Sequence, residues 1–266
     1  MTVHPGDPAA LELITHGEID VEGRMVDASN ATLYGAISHN GISAHCVYKP
    51  INGERALWDF PDGTLAGREV ASYLVSEAAG LGLIPPTVLR AGPFGRGMVQ
   101  LWIDTKDGDD LVDVLAPGDV PDGWRMVLRA HDRHGDPAVL THADHPSVQL
   151  LAALDVVINN ADRKGGHVLH GTDGNVYGVD HGICLHTDPK LRTVLWGFLG
   201  EPIPEQAVEA VSRLRGQLDG DLERQLRPHL TRREIQALRD RADALLRVPR
   251  FPEPNPDGRP IPWPAF

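Results

Sequence analysis

Two aspartates, Asp162 and Asp180, flank a stretch that reads as a short hairpin, and their placement offers the clearest chemistry in the chain. Asn159-Asn160-Ala161-Asp162-Arg163 ends an apolar run. HVLH, an Asp173-Gly174 turn and VYGVD then lead to Val179-Asp180-His181-Gly182. A hairpin sets its ends side by side, so the two carboxylates are expected to meet in one cleft. Such a pair suits phosphoryl transfer: one accepts or orients the nucleophile's proton while the other holds magnesium against phosphate oxygens. Gly182 lets the backbone turn sharply after the metal ligand. Taken singly, each aspartate is a helix-end or turn residue. Their pairing around one hairpin favours function.

These motifs carry a family likeness. ADRKGGHVL, with VDHG following so that Asp180 lies eighteen residues after Asp162, resembles the catalytic and metal-binding loops of the phosphatidylinositol 3-/4-kinase-like superfamily, which read D-R-H-x-x-N and D-F-G. HipA-like bacterial kinases share that architecture. More narrowly, the chain is similar to an uncharacterised bacterial family of phosphatidylinositol-kinase-like proteins, over residues 30–200. The resemblance implies an α+β, two-lobed protein-kinase-like fold with a small β-rich N-lobe and a mainly helical C-lobe. It also implies ATP as substrate and Mg2+, or alternatively Mn2+, as cofactor.

Residue by residue, the resemblance makes Asp162 the catalytic aspartate, Arg163 its basic neighbour and Asp180 the magnesium ligand. His167 stands where the family has an asparagine as second metal ligand. A neutral imidazole favours softer ions than magnesium. Manganese preference, weakened activity and a neighbouring ligand such as Asn160 all stay open. His181 replaces the phenylalanine after the metal aspartate. Lys49, in CVYKP, takes the place of the lysine that grips the α/β-phosphates, and Glu69 that of its helix partner, with Glu77 in reserve. The turn Ser38-His39-Asn40-Gly41 takes the position of the phosphate-covering loop. Met98–Ile103, centred on Gln100, Leu101 and Trp102, takes that of the inter-lobe hinge that holds adenine.

The elements that must position these groups are legible in part. Asp7, Pro8 and Gly17 bracket a helix over 7–17. ATLYGAIS and ISAHCVYKP, joined at Asn40-Gly41, read as paired strands. AGREVASYLVSEAAGLG reads as a helix stopped at Gly80 or Gly82, and TVLRAG with GMVQLWID as two further strands. A Gly/Pro-containing acidic connection over 105–123 marks the lobe boundary. The segment 124–147 reads as a short strand pair or a loop. Ser147 is the expected cap of a helix, VQLLAALDVVINNA, apolar nearly all round and therefore buried. Two helical stretches follow Pro202. This divides the chain into an N-lobe at 1–104, a C-lobe at 105–248 and a proline-rich tail at 249–266, extended on the surface or disordered.

Composition narrows the partners. The chain has 266 residues, 41% of them hydrophobic, and a formal net charge of −12 from 37 acidic and 25 basic residues. That surface repels phosphate backbones and anionic headgroups, so neither nucleic acid nor stable membrane association is expected. The first twenty residues carry no basic and apolar leader pattern. The two cysteines, Cys46 and Cys184, stand alone, which fits a reducing compartment. A cytoplasmic protein is expected. Four of the basic residues are lysines: Lys49, Lys106, Lys164 and Lys190.

The segment after Asp180, with Lys190, Arg192 and WGFLG, is only mildly basic, which argues against a phosphoinositide acceptor. A protein side chain, the chain itself or a small soluble molecule is preferred. Three other readings are carried: a regulatory nucleotide-binding module with little turnover, AMP transfer from ATP, and a metal-dependent hydrolase built on His131, Asp132, His134, His142, Asp144 and His145. For that last cluster no metal-binding spacing is present, and solvent-facing loop histidines are the simpler expectation.

Overall fold

Asn40 and Gly41 take left-handed backbone angles (φ 49° and 76°), the geometry of the tight hairpin turn that an Asn-Gly pair favours. In the computed structural model, which describes residues 3–25, 30–106 and 108–266, this turn joins β2 (Leu33–His39) to β3 (Ile42–Pro50). A strand that the sequence reading passed over, β1 (Glu18–Arg24), pairs antiparallel with β2 and is bulged between Val21 and Gly23. With β4 (Thr87–Gly92) and β5 (Gly95–Leu101) they form one antiparallel sheet in the order β1-β2-β3-β5-β4. Gly35 has to be a glycine: a β-carbon there would lie 2.4 Å from the Asp20 carbonyl oxygen of β1.

One face of this sheet buries Ile37, Cys46, Tyr48, Val99 and Leu101 against helix α1 (Pro8–His16). Asp7 precedes α1 without capping it, its carboxylate instead accepting from the His4 amide. The C-terminal end of α1 is closed by Arg90 of β4, which donates to the carbonyls of Ile14 and Gly17. The opposite face turns Met98 toward Ala66 and Val70 of α2 (Leu65–Ala79). Thr64 caps α2 by accepting from the Gly67 amide, and Gly80 ends it in the left-handed region.

Of the two readings of 124–147 the strand pair is the one that forms, and a strand from the expected 105–123 connection joins it in a second sheet. β6 (Val112–Leu115), β7 (Trp124–His131) and β8 (Pro137–Ala143) pair antiparallel in the order β6-β8-β7. Helix α3 (Pro146–Ile158) follows, capped by the His145 imidazole, which accepts from the Ser147 amide. Ser147 thus lies inside the helix. α3 stops at Asn159 (φ 53°), whose side chain bonds the backbone of His186, Asp188 and Lys190.

A two-stranded hairpin, β9 (Val168–His170) and β10 (Val176–Gly178), comes next, and α4 (Glu205–Gln217), α5 (Asp221–Leu226) and α6 (Arg232–Arg247) complete the order. Thr231 and Glu234 form a reciprocal capping box at the start of α6. The largest apolar cluster gathers α3, α4 and α6 together with Ala71, Val75 and Ala79 of α2. Although α2 lies in the N-terminal hundred residues, it packs into the helical core. Both cysteines are buried and free. Among the described residues, no helix is long and apolar enough to cross a membrane.

Leu151 is fully buried at the centre of α3 and packs beneath β10. Leu151→Ala is expected to cost about 2–5 kcal/mol, transfer and cavity together, read as a lowered urea midpoint at unchanged slope.

Candidate active site

At the C-terminal end of β3, Lys49 reaches two carboxylates. Its ammonium lies 2.6 Å from Glu69 Oε1 on α2 and 2.8 Å from Asp180 Oδ1 just past β10. Glu69 is buried, and its second oxygen accepts from the His181 amide. One glutamate thereby links the lysine strand to the backbone after Asp180. Burial works against the charge on Lys49, but the Asp180 and Glu69 carboxylates overcome it and raise the lysine pKa. Burial likewise opposes ionisation of Asp180, and the Lys49 ammonium reverses this to hold it well below the usual carboxylate range. The Asp180 side chain remains 49% exposed, open to the cleft.

Asp180 sits in the left-handed region at φ 58°, a conformation that costs energy in a residue with a β-carbon. The hairpin β9–β10 returns the chain to the level of the Asp162 loop, as the sequence pattern predicts. His167 bridges the two stations. Its Nδ1 lies 3.1 Å from the Asp162 carbonyl oxygen and its Nε2 lies 3.4 Å from Asp180 Oδ2. A carbonyl only accepts, so Nδ1 carries the proton and Nε2 presents a lone pair. Burial pushes the His167 pKa down to about 4, so the ring is neutral near pH 7. Two electron-pair donors therefore face each other with no proton between them, an arrangement that suits a cation.

Asp162 is held by its own loop, its amide donating to Asn160 Oδ1. The Lys164 ammonium lies 3.6 Å from Asp162 Oδ2. Burial raises the Asp162 pKa to about 6, Lys164 opposing and Asp180 adding to the rise. Lys164 was not assigned a role from the sequence. Its signal was its rarity and its place two residues after Asp162.

Arg163, expected beside the reacting groups, is instead wholly buried. Its Nε and Nη2 grip both oxygens of Asp155 on α3, at 2.8 and 2.9 Å. Nη1 donates to the carbonyls of His167 and Val179, and Nη2 lies 2.6 Å from His181 Nε2. Asn160 also donates to Asp155. Arg163 is thus a positioning residue: it clamps both loops to the core helix and contacts neither cleft carboxylate. Asp155 was the residue to notice, a charge inside an apolar helix that had to find a partner. Gly178 leaves room for this clamp, since a β-carbon there would meet Leu151 and the Arg163 guanidinium at 2.7 and 3.0 Å.

Other expected positions fall elsewhere. Ser38, His39, Asn40 and Gly41 form the turn at the opposite end of β3 from Lys49, roughly 23 Å away at the rise of a strand. They cannot cover a phosphate beside that lysine. The connection at the Lys49 end is the one between β1 and β2, where the register runs Arg24↔Leu33 and Leu33↔Tyr48, and residues 26–29 within it lie outside the described ones.

Gln100 is buried in the sheet and donates to Thr87 Oγ1. The Leu101 and Trp102 amides are taken by the Pro86 and His45 carbonyls. Among the described residues, Ile103 is the first position past β5 whose amide and carbonyl both have no partner. Tyr34, which pairs with Val47 two residues before Lys49, packs edge-on against Trp102. Trp102 was among the expected residues; Tyr34 was not.

Glu77 is exposed, away from Lys49. Of the histidine-rich stretch, His131 and His134 are exposed, whereas His142 is buried on β8 and accepts from the Gly197 amide. That corrects the expectation of loop histidines for His142. Among the described residues, no three His, Cys, Asp or Glu side chains gather to hold a metal.

The strand order, the lysine of β3 paired with a helix glutamate, and the aspartates flanking a hairpin define a two-lobed, kinase-like protein. The chain belongs to the same family as Protein Rv2133c of Mycobacterium tuberculosis, to which it is 51% identical over 275 residues, covering 100% of this chain and 98% of that protein. It is also similar to phosphatidylinositol 4-kinase gamma 4 of Oryza sativa subsp. japonica (24% identity, 80% of this chain) and phosphatidylinositol 4-kinase gamma 7 of Arabidopsis thaliana (26%, 70% of this chain). It spans only 40% and 28% of those two proteins. No family model matches the chain.

Among solved structures, a Golgi casein kinase superposes with a TM-score of 0.48 at 12% identity, covering 91% of this chain and 74% of that one. The Helicobacter pylori proinflammatory kinase CtkA superposes with 0.45 at 10% identity, covering 88% and 93%.

Arg163→Ala leaves the Asp155 carboxylate buried without its main partner and is expected to cost about 3–5 kcal/mol in urea denaturation. Arg163→Lys keeps the charge but loses the planar fork, so it should rescue little of that stability.

Proposed function

We propose that the chain is a metal-dependent phosphotransferase that uses ATP. The observation that carries this reading is the Lys49 ammonium held between Glu69 and Asp180, with His167 directing its unprotonated nitrogen at the same aspartate. Lys49 would neutralise charge on the α/β-phosphates, with Glu69 fixing its position. Asp180 and His167 are the residues that would hold a divalent cation. One nitrogen among the ligands favours Mn2+ more than an all-oxygen set would. The bound ion would supply charge neutralisation at the phosphate oxygens. Likeness to the two plant phosphatidylinositol 4-kinases supports placement beside the phosphatidylinositol 3-/4-kinase-like superfamily.

Asp162 orients the acceptor hydroxyl and takes its proton. The acceptor oxygen forms a bond to the γ-phosphorus as the bond from that phosphorus to the β–γ bridging oxygen breaks, and ADP leaves. Lys164, beside Asp162, stands where it can pair with the transferred phosphoryl group. The adenine would lie between the Tyr34–Val47 strand pair and the free backbone of Ile103. A soluble acceptor inside the cell is favoured over a membrane or nucleic acid by the −12 charge.

The test uses ATP labelled at the γ or α position, with magnesium or manganese. Label transferred from γ is the expected result; transfer from α alone indicates nucleotidyl transfer, and nucleotide binding without transfer indicates a regulatory module. Asp180→Ala should abolish metal-dependent nucleotide binding. Asp162→Asn should spare it and lower turnover by roughly 10²–10⁴-fold, the contribution of a positioned base. Equal nucleotide affinity in wild type and Asp180→Ala would refute the ligand role.

The pH dependence follows from Asp162. Its pKa is raised to about 6, so the protonated form, which cannot accept a proton, dominates below that pH. kcat/KM for the free enzyme should therefore rise through about pH 6 and level off above it. A profile flat from pH 5 to pH 8 would exclude this carboxylate as the base.

A further inference from the structure

Beside Asp162, on the side where an acceptor would approach, lies an open cavity of about 560 Å³. One wall is the Asp162 loop with Arg192. Trp58 stands at a second side, and the proline-rich segment contributes Arg259, Ile261 and Trp263 at a third. That segment is anchored in place. Pro260 accepts from the Thr193 amide and from Trp196 Nε1, and Ala265 accepts from the Gly165 amide between Asp162 and His167. The Phe266 ring fills the space that a side chain at position 165 would need, 2.2 Å from where its β-carbon would lie. The proline-rich stretch is therefore a built wall, and prolines make such a wall stiff at low entropic cost.

The lining has a definite chemistry. Among the described residues, neither the Arg192 nor the Arg259 guanidinium has a hydrogen-bond or ion-pair partner. The one other carboxylate in the lining, Asp59, is engaged by Lys190 at 3.0 Å. In a chain of net charge −12, two unengaged guanidiniums thus share a cavity with the Asp162 carboxylate. Guanidinium forks match phosphate and carboxylate oxygens. Trp58 and Trp263 are 92% and 83% exposed, far more than this residue usually tolerates. The Lys190 ammonium lies over the Trp58 ring, 6.0 Å from its centroid, and the remaining indole surface of the two tryptophans suits the C–H face of a sugar or polyol. The volume falls in the range of small-molecule sites. Residues 249–266 contain no serine, threonine or tyrosine, so this wall offers no acceptor hydroxyl of its own.

We propose that this cavity is the acceptor site and that the acceptor is a small, soluble polyol carrying a phosphate or carboxylate. Arg192 and Arg259 hold the anionic group, the two tryptophans flank the carbon skeleton, and a hydroxyl is directed at Asp162. The assignment of the pocket as an acceptor site rests on the phosphotransferase reading; its affinity for such anions is measurable without it.

The experiment titrates the full chain with glycerol 3-phosphate, glucose 6-phosphate and gluconate, against neutral glycerol and glucose, by calorimetry. Nucleotide binding is measured in parallel. Saturable binding of at least one anionic probe is expected, with its neutral parent weaker by about tenfold or more, the loss of one charge-assisted contact. Arg192→Ala and Arg259→Ala should each weaken the probe by a similar factor and leave ATP affinity unchanged. Trp263→Ala is an independent variant on an exposed side chain and should weaken the sugar phosphate more than inorganic phosphate.

The proposal is overturned if no anionic probe saturates, or if binding is lost in Lys49→Ala while the two arginine variants retain it. It is equally overturned if the chain is retained by phosphatidylcholine vesicles only when they contain phosphatidylinositol, or if a serine peptide is phosphorylated with no dependence on Arg192 and Arg259. Loss of ATP binding with probe binding intact would sink the phosphotransferase reading alone.

Discussion

The ion pair between Arg163 and Asp155 is the interaction on which the rest of the site depends. Both side chains are fully buried, which is costly unless every polar atom is satisfied. Here the guanidinium reaches a carboxylate on α3, carbonyls on both hairpin ends and the His181 imidazole. A rigid fork is the only side chain that can satisfy that many acceptors from one point. The geometry of the two loops is therefore inherited from a core helix, and the Asp162 and Asp180 carboxylates are positioned without touching the clamp themselves.

Much of this arrangement was legible from residue types and spacing. Asn40-Gly41 specifies a hairpin almost by itself, and the spacing of Lys49 and Glu69 across a strand and a helix proved to be a direct contact. The convergence of Asp162 and Asp180 followed from the Asp173-Gly174 turn between them. These features are local, or depend on one nearby pairing, so a linear pattern can carry them.

What was illegible depended on topology. β1 alternates Ile19 and Val21 with acidic residues, a readable signal, but its bulge and short span hid it. Missing that strand left Ser38–Gly41 as the first hairpin turn in the reading, although it lies at the end of β3 away from Lys49. The strand pair in 124–147 stood beside a loop as an open alternative because β7 is half-exposed and carries few periodic apolar positions, and the four-residue β6 was not read at all. Arg163 was misjudged because its partner on α3 is eight residues back. Charge in a motif reads as chemistry until burial shows that it is architecture. The proline-rich segment had no pattern from which its contact with Gly165 could be deduced.

Helix α2 has a consequence for control. In kinase-like folds the lysine–glutamate pair is one of the contacts whose assembly is regulated through movement of the glutamate-bearing helix. Here that helix contributes Ala71, Val75 and Ala79 to the main apolar cluster, and its Arg68 is paired in the interior with Glu234 of α6. Swinging it outward would expose that surface and strand two buried charges. Moving this helix away from Lys49 therefore carries the cost of opening the apolar core and the Arg68–Glu234 pair, a cost borne far from the cleft itself.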